Sequence, residues 1–161
     1  MLQYSKEINM NEIVKFYTIS QVPNDVQRKN SRNVSLLYLQ TEDEDITKVA
    51  VTENGSRNYY IYNKGNLILE KKDISDNLYY VISNRGKLRE VKKQVADIEV
   101  NDRPCELFTY QGRLQGLQVV KITFSGREEF ENFKRPTWFK DELKNPNYEK
   151  GLGDFLSIEK E

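Results

Sequence analysis

Charged side chains recur inside segments whose composition is typical of β-strands. They are Lys48, Lys64, Glu70, Lys72, Arg89, Lys93, Glu106 and Lys121. One interpretation is structural, because an alternating strand has a solvated face on which charges belong. The other is chemical: the basic members line a polar interior, where cations are costly to desolvate unless water and an anion are present. Phosphate suits such a site, since lysine and arginine donate several charge-assisted hydrogen bonds to its oxygens. The pattern alone leaves both interpretations open.

Two absences narrow the chemistry. The chain has no histidine and a single cysteine, Cys105. Histidine general bases, Ser-His-Asp triads and histidine-ligated zinc are therefore excluded, as are an internal disulfide and a cysteine-rich metal centre. No neighbour of Cys105 in the sequence suggests an activated thiolate.

Length and charge set the broad class. The 161 residues suit one domain with a single core, and we expect it to cover residues 1–156, with a tail over 157–161. The 25 basic and 25 acidic side chains cancel, which disfavours nucleic acid as the main partner. No apolar run approaches the roughly 20 residues that span a bilayer, and the first residues lack the apolar core of a signal peptide. We therefore expect a cytoplasmic protein with no membrane partner; its oligomeric state is open.

The elements that must position these side chains are mostly strands. Runs rich in β-branched and aromatic residues predict strands over residues 12–20, 33–40, 46–52, 57–64, 67–74, 88–100, 105–110 and 117–124. Asn54-Gly55 and Lys64-Gly65-Asn66 predict tight turns. Short strands joined mainly by turns indicate an antiparallel barrel or sandwich. The predicted fold is mostly β within the α+β class: an eight-stranded antiparallel barrel with a few peripheral helices.

Two short helices are predicted from their ends. Ser75 or Asp76 can cap the first, and Gly86 can end it. Ser125 and Glu128 have the S-x-x-E spacing of a capping box at the start of the second.

The block that follows Tyr110 has an order of motifs that resembles a known family. Gly112 and Gly116-Leu117 bracket a turn, which a strand and a helix follow; then come Pro136-Thr137-Trp138, Glu142-Leu143, Tyr148 and Leu152. This order resembles the end of the CYTH, or triphosphate tunnel metalloenzyme, family. The resemblance covers about the last third of the chain, and the first two thirds match only in strand order.

The resemblance implies an eight-stranded antiparallel barrel that forms a tunnel. In that family the tunnel binds ligands that contain triphosphate or polyphosphate, basic side chains hold the phosphates, and glutamates bind Mg²⁺ or Mn²⁺. Its activities include inorganic, thiamine and RNA triphosphatases and a bacterial adenylyl cyclase.

The family's acidic positions are mostly replaced in this chain. When the lysine of its opening E-x-E-x-K pattern is placed on Lys15, Asn11 and Ile13 stand where carboxylates are expected. A later E-x-D pair falls on Glu106 and Phe108, and the E-x-E pair of the last strand falls on Lys121 and Thr123. Of these six positions only Glu106 is acidic, and Glu70 matches a middle-strand glutamate. Because Mg²⁺ needs carboxylate oxygens, we expect no catalytic residue and no cofactor, or Mg²⁺ or Mn²⁺ on Glu70 and Glu106 if activity remains.

Several basic positions are kept. Lys48 stands in the family's R-x-R strand, Lys64 matches the lysine of the next strand, and Lys93 matches a later tunnel lysine. The predicted ligand-binding residues are Lys15, Lys48, Lys64, Arg89, Lys93 and Lys121.

Three functions follow as hypotheses. The first is a CYTH-like protein that binds a small phosphorylated ligand (triphosphate, polyphosphate or nucleotide) in a basic tunnel, with catalysis lost. The second is a metal-dependent triphosphatase. The third is a scaffold or interaction module whose tunnel is filled by its own side chains, such as Phe108 and Ile13.

Overall fold

The computed structural model describes residues 12–39, 43, 45–63, 68–83, 89–145 and 148–149. Its strands form one sheet in the order β5-β4-β3-β2-β6-β7-β8-β1-β9, and neighbouring strands pair antiparallel. The elements are β1 (Ile13–Ile19), β2 (Lys29–Leu39), β3 (Thr47–Glu53), β4 (Ser56–Tyr62), β5 (Ile68–Asp73), α1 (Asp76–Ser83), β6 (Arg89–Val100), β7 (Arg103–Tyr110), β8 (Gln118–Phe124), α2 (Arg127–Asn132) and β9 (Phe139–Glu142).

The turns explain why consecutive strands pair. Asn54 and Gly55 both have positive φ, 51° and 86°, as a two-residue hairpin turn with right-handed strand twist requires. Asn101 and Asp102 form a second such turn, with φ of 52° and 63°, and join β6 to β7. The predicted turn at residues 64–66, the helix end at Gly86, Leu152 of the C-terminal motif and the tail lie outside the described residues.

Alternation along the strands gives the sheet two apolar faces. One, here called the Leu107 face, carries Leu107, Val120 and Ile122 in its core. The other, the Phe108 face, carries Phe108, Tyr110 and Val119. Where both faces are buried, as over Leu36–Tyr38 of β2 and Val119–Val120 of β8, apolar residues follow one another and conceal the alternation in the sequence.

The C-terminal helix α2 packs on the Leu107 face. Phe124 is fully buried, and the rings of Phe130 and Phe133 meet it edge-on with centroids 5.3 and 5.2 Å away. Trp138 packs against Phe139 at 4.8 Å. The Pro-x-Trp turn therefore anchors the sheet, as large aromatic side chains commonly do.

The predicted mostly-β class is confirmed, although nine strands are described where eight were expected, and closure into a barrel is not confirmed. The described strands number nine, and the sheet ends at β5 on one side and β9 on the other without pairing between them. Every residue of β5 is exposed, and its Glu70-Lys-Lys-Asp73 sequence places charges along an open edge, which disfavours further strand pairing. β9 has only four residues, too short for strand periodicity to reveal.

The start of α1 agrees with the prediction, whereas the start of α2 differs from it by one residue. Ser75 caps α1 as expected, since its Oγ accepts a hydrogen bond from the backbone N–H of Leu78 at 3.1 Å. The capping box at Ser125 was assigned to the wrong glutamate. The carboxylate of Glu129, not Glu128, accepts hydrogen bonds from the Ser125 N–H at 3.0 Å and from its hydroxyl at 2.8 Å, because Gly126 holds the N-cap position and moves the helix start by one residue.

Candidate anion-binding site

The carboxylate of Glu149 is held by three donors on the Phe108 face. Lys93 Nζ of β6 lies 2.7 Å from Oε2 of Glu149, and the hydroxyl of Tyr110, from β7, donates to the same oxygen at 2.6 Å. The hydroxyl of Tyr38, from β2, donates to Oε1 at 2.7 Å. Tyr148 adds a hydroxyl 2.8 Å from that of Tyr110. Three strands thus converge their donors on a single anion.

The site is largely withdrawn from water. The side chains of Lys93 and Glu149 are only 10% and 13% exposed, and Nζ of Lys93 sits 3.6 Å from the ring centroid of Phe108. A cation over a ring face gains electrostatic energy that grows as water is excluded. The ring of Phe16 meets that of Tyr148 at 5.2 Å, so the wall of the site is aromatic.

The ionisation states follow from this environment. Burial acts to raise the pKa of Glu149, but Lys93 and the hydrogen bonds from Lys93, Tyr110 and Tyr38 outweigh it, and the pKa lies below its ordinary value. Burial, and then the charge of Glu149, raises the pKa of Tyr38 and of Tyr110 well above 10.0. Both tyrosines therefore stay protonated as donors at neutral pH, and Glu149 is an anion.

A second charged cluster lies further along the same face, around Arg32 of β2. Its Nε lies 3.3 Å from Glu53 Oε2, its Nη1 3.3 Å from Asp97 Oδ1 and its Nη2 2.7 Å from Glu106 Oε2. Each guanidinium nitrogen contacts a carboxylate from a different strand. A hydrogen bond from Asn30 and, secondarily, the contact with Arg32 hold the pKa of Asp97 below its ordinary value.

Lys121 of β8 is more loosely paired than Lys93, the other predicted cation on this face whose side chain the structure describes. Its Nζ is 3.9 Å from Glu106 Oε1, beyond hydrogen-bond distance, and its side chain is 37% exposed. In the sheet it pairs with Glu106 on one side and Phe16 on the other. Lys121 therefore retains free donor capacity toward a ligand.

The predicted site residues do not form one cluster. Lys93, Lys121 and Glu106 share the Phe108 face, whereas Lys15 and Lys48 lie on the opposite face. Lys15 pairs across the sheet with Ile122 of the Leu107 core and binds Glu142 at 3.1 Å, and Lys48 pairs with Leu39 and Ile61. Arg89 is placed by its backbone opposite Tyr38, and Lys64 lies outside the described residues.

The position of Lys15 on the face opposite Lys121 follows from the strand period. Because side chains alternate, a one-residue shift moves a strand's whole set to the other side. Val14 and Phe16, not Lys15, share the face of Lys121. The motif anchor on Lys15 was therefore one position away from the face that carries the charges.

The implied metal does not fit these residues. Glu70 is 48% exposed and paired with Lys72 at 3.4 Å, and it stands beside Ile61 on the face opposite Glu106. Glu106 is occupied by Arg32 and neighboured by Lys121. Across the described residues no group of three Asp, Glu, His or Cys is arranged to hold a metal ion. Mg²⁺ needs several oxygen ligands in near-octahedral geometry, so no chemical step through a metal follows from this arrangement.

Sequence reasoning missed Arg32, Tyr38 and Glu149 as site residues. Arg32 lies in a polar stretch, Lys29–Asn33, with no apolar alternation, and β2 was predicted to begin only at Asn33. Glu149 had one available signal, since it directly follows the tyrosine of the C-terminal motif. Its partner Lys93 lies 56 residues away in sequence, a distance at which no local pattern can link them.

Cys105 is expected to be chemically inert in the folded protein. Burial raises the pKa of its thiol to about 12, and the residue is 6% exposed, so both thiolate and access are lacking. We expect Ellman's reagent to react with Cys105 only as fast as the protein unfolds. A fast reaction in native buffer, matching that in denaturant, would contradict this assignment.

Comparisons with known proteins support the fold. No family model matches the chain, and no curated protein matches it by sequence. Among solved structures it is similar to two crystal structures of NE1496, one described as a hypothetical protein and the other as an inorganic triphosphatase. The first has a TM-score of 0.69 and 19% identity, and the match covers 88% of this chain and 97% of that one. The second has a TM-score of 0.69 and 18% identity, with 88% and 93% covered.

The likeness establishes the fold. The resemblance to the CYTH, or triphosphate tunnel, family found in the C-terminal block is thereby confirmed at the level of the fold. Separately, none of the helices in the described part of the chain is long and apolar enough to cross a membrane.

Proposed function

We propose that this protein binds a small anion with more than one phosphate (a triphosphate, polyphosphate or nucleotide) on the Phe108 face, without metal-dependent catalysis. The observation that carries the proposal is the carboxylate of Glu149, held by Lys93, Tyr38 and Tyr110. A buried position that satisfies a carboxylate with one cation and two hydroxyls offers the same donors to phosphate oxygens. A solved structure of the same fold, NE1496, is described as an inorganic triphosphatase.

The spacing of the cations favours an extended ligand. Lys93 pairs with Tyr110, and Lys121 pairs with Glu106, four positions earlier on β7. Four strand residues span about 13 Å. Lys93 and Lys121 also stand on strands that flank β7, about 10 Å apart across the sheet, so both long side chains can reach a chain of phosphates, whereas a single orthophosphate reaches only one of them.

Ligand and Glu149 compete for the same donors. An incoming phosphate group must displace the carboxylate, so the apparent affinity falls in proportion to the fraction of molecules in which the site is open. The proposed ligand therefore binds the wild-type protein more weakly than its contacts alone dictate.

The experiment is a calorimetric titration with tripolyphosphate in EDTA, with orthophosphate for comparison. We expect tripolyphosphate to bind with one-to-one stoichiometry and orthophosphate much more weakly. Lys121→Met should weaken tripolyphosphate binding about tenfold or more, because a hydrogen bond to a charged group is worth about 1.5–3 kcal/mol.

Lys92→Met is the matched control. Lys92 neighbours Lys93 in β6 but alternates to the other face, where it pairs with Ser35 and is 58% exposed. Its loss should leave binding unchanged. Equal weakening in the two variants would show that only net charge matters and would contradict a site on the Phe108 face. The proposal would also be contradicted if neither wild type nor Glu149→Gln bound tripolyphosphate.

A scaffold role is the second candidate, and the aromatic filling favours it. Phe108 is 6% exposed within the apolar cluster of its face, and Tyr148 packs against the same cluster, as that hypothesis expected of Phe108. Ile13, the other residue it named, packs instead against the Leu107 core. A metal-dependent triphosphatase has less support, because Glu70 and Glu106 stand on opposite faces.

A further inference from the structure

Arg32 is the main reason why the charged cluster on the Phe108 face does not fit a divalent metal ion. Its three guanidinium nitrogens each contact a different carboxylate, from β3, β6 and β7. The Arg32 side chain is 19% exposed, whereas the side chains of Glu53, Asp97 and Glu106 are 46%, 43% and 35% exposed. The cation is thus the innermost member of the cluster, and its acidic partners surround it.

The guanidinium of Arg32 supplies the positive charge that these three carboxylates share. Three like charges that converge from separate strands repel each other unless a positive charge lies between them. A guanidinium stays charged at every accessible pH and offers its donors in a fixed plane. A divalent ion entering here would have to compete with a cation that cannot dissociate from the protein.

We propose that Arg32 permanently takes the electrostatic place of a divalent cation among Glu53, Asp97 and Glu106, so that ligand binding on the Phe108 face neither needs nor gains from Mg²⁺ or Mn²⁺. The part of this proposal that concerns ligand binding rests on the function proposed above. Its central claim is only that Arg32, and no metal ion, lies among the three carboxylates. Glu53, Asp97 and Glu106 are not arranged around a metal ion as they stand, so removal of the Arg32 side chain should let them move inward and bind a divalent cation in its place.

The test is a titration with Mn²⁺, followed by the electron paramagnetic resonance signal of the free ion, in buffer without any phosphorylated ligand. Wild type should leave the Mn²⁺ signal unchanged. Arg32→Ala should take up one equivalent with a dissociation constant of about 10⁻⁴–10⁻³ M, as in the weakest calcium-binding sites. The double variant Arg32→Ala/Glu106→Gln should lose most of that uptake.

Arg103→Ala is the matched control. Arg103 is also partly buried and ion-paired, but with the single carboxylate of Glu129, so its removal should create no Mn²⁺ site. Arg32→Gln, which keeps more of the side-chain volume, serves if the alanine variant does not fold.

Two results would overturn the proposal. One is uptake by the Arg32 variant no greater than by Arg103→Ala. The other is stoichiometric Mn²⁺ binding by wild type that Glu106→Gln abolishes, which can be measured whether or not the Arg32 variants fold. Because no phosphorylated ligand is present, failure here leaves the proposed function standing, and failure of tripolyphosphate to bind leaves this result unaffected.

Discussion

Replacement of Glu149 with glutamine is expected to lower the free energy of unfolding by about 3 kcal/mol, the lower end of the range for breaking a buried ion pair. Glutamine keeps an acceptor for Tyr38 and Tyr110 but leaves the charge of Lys93, only 10% exposed, without its partner. For a chain of this size the melting temperature should fall by about 6–12 °C. A loss of this size leaves a protein of ordinary stability folded. Thermal unfolding followed by circular dichroism measures it.

The same variant should be rescued by an external anion. Tripolyphosphate should raise the melting temperature of Glu149→Gln by several degrees more than that of wild type, because a neutral amide competes with it for Lys93 much less than a carboxylate does. Glu142→Gln is the matched control: Glu142 is also 13% exposed and ion-paired, to Lys15 on the Leu107 face. It should lose less stability than Glu149→Gln, because its partner Lys15 is 28% exposed and water can solvate the charge left behind, and it should gain nothing extra from tripolyphosphate. Equal rescue of both variants would contradict the site.

The Glu149–Lys93 ion pair should also make the stability of the protein depend on pH. The folded-state pKa of Glu149 is lowered, so its stabilising contribution is fully present above the unfolded-state value of about 4.3 and is lost as the pH falls through the lower folded-state value. Wild type and Glu149→Gln should therefore differ most in stability at neutral pH and converge as the solution is acidified below about pH 4. A constant difference down to pH 2 would assign the destabilisation to packing instead of charge.

Phe124→Ala is expected to lower the free energy of unfolding by about 4 kcal/mol, through lost apolar burial and the cavity left behind. Phe124 is fully buried and contacts both Phe130 and Phe133, so its ring joins helix α2 to the sheet. The melting temperature should fall by about 8–16 °C. Urea unfolding gives the free energy directly.

Phe130→Ala provides the comparison for that result. Phe130 lies at the edge of the same cluster and is only partly buried, so its truncation should cost roughly half as much, since the surroundings can relax into the space. Equal losses at the two positions would mean that Phe124 does not hold α2 on the Leu107 face.

The fold was largely predictable because its signals are local. Asn54-Gly55 specified a hairpin through its positive φ values, and the C-terminal block specified the family resemblance through motif order. Closure of the barrel was not predictable in this way, because whether β5 and β9 pair depends on non-local edges. β5 was correctly predicted as a strand, yet its full exposure is a property of the whole sheet.

The site was less predictable, for two physical reasons. Strand alternation assigns a side chain to one face only if the pairing register is known without a one-residue error. Lys15 is one position away from Phe16, which lies on the face of Lys121. Ion pairs between residues far apart in sequence also cannot be predicted from the residue type at one position. Lys93 and Lys121 were identified as cations, but their occupation by Glu149 and Glu106 joins distant parts of the chain.

The most direct measurement is a calorimetric titration of Glu149→Gln with tripolyphosphate in EDTA, beside the same titration of Glu149→Gln/Lys93→Met. If Lys93, Tyr38 and Tyr110 form an anion site that Glu149 occupies, the single variant should bind one equivalent about tenfold or more tightly than wild type, because the internal competitor has lost its charge. The double variant should lose that gain. Absence of binding in the single variant, or equal binding in both, would contradict the account.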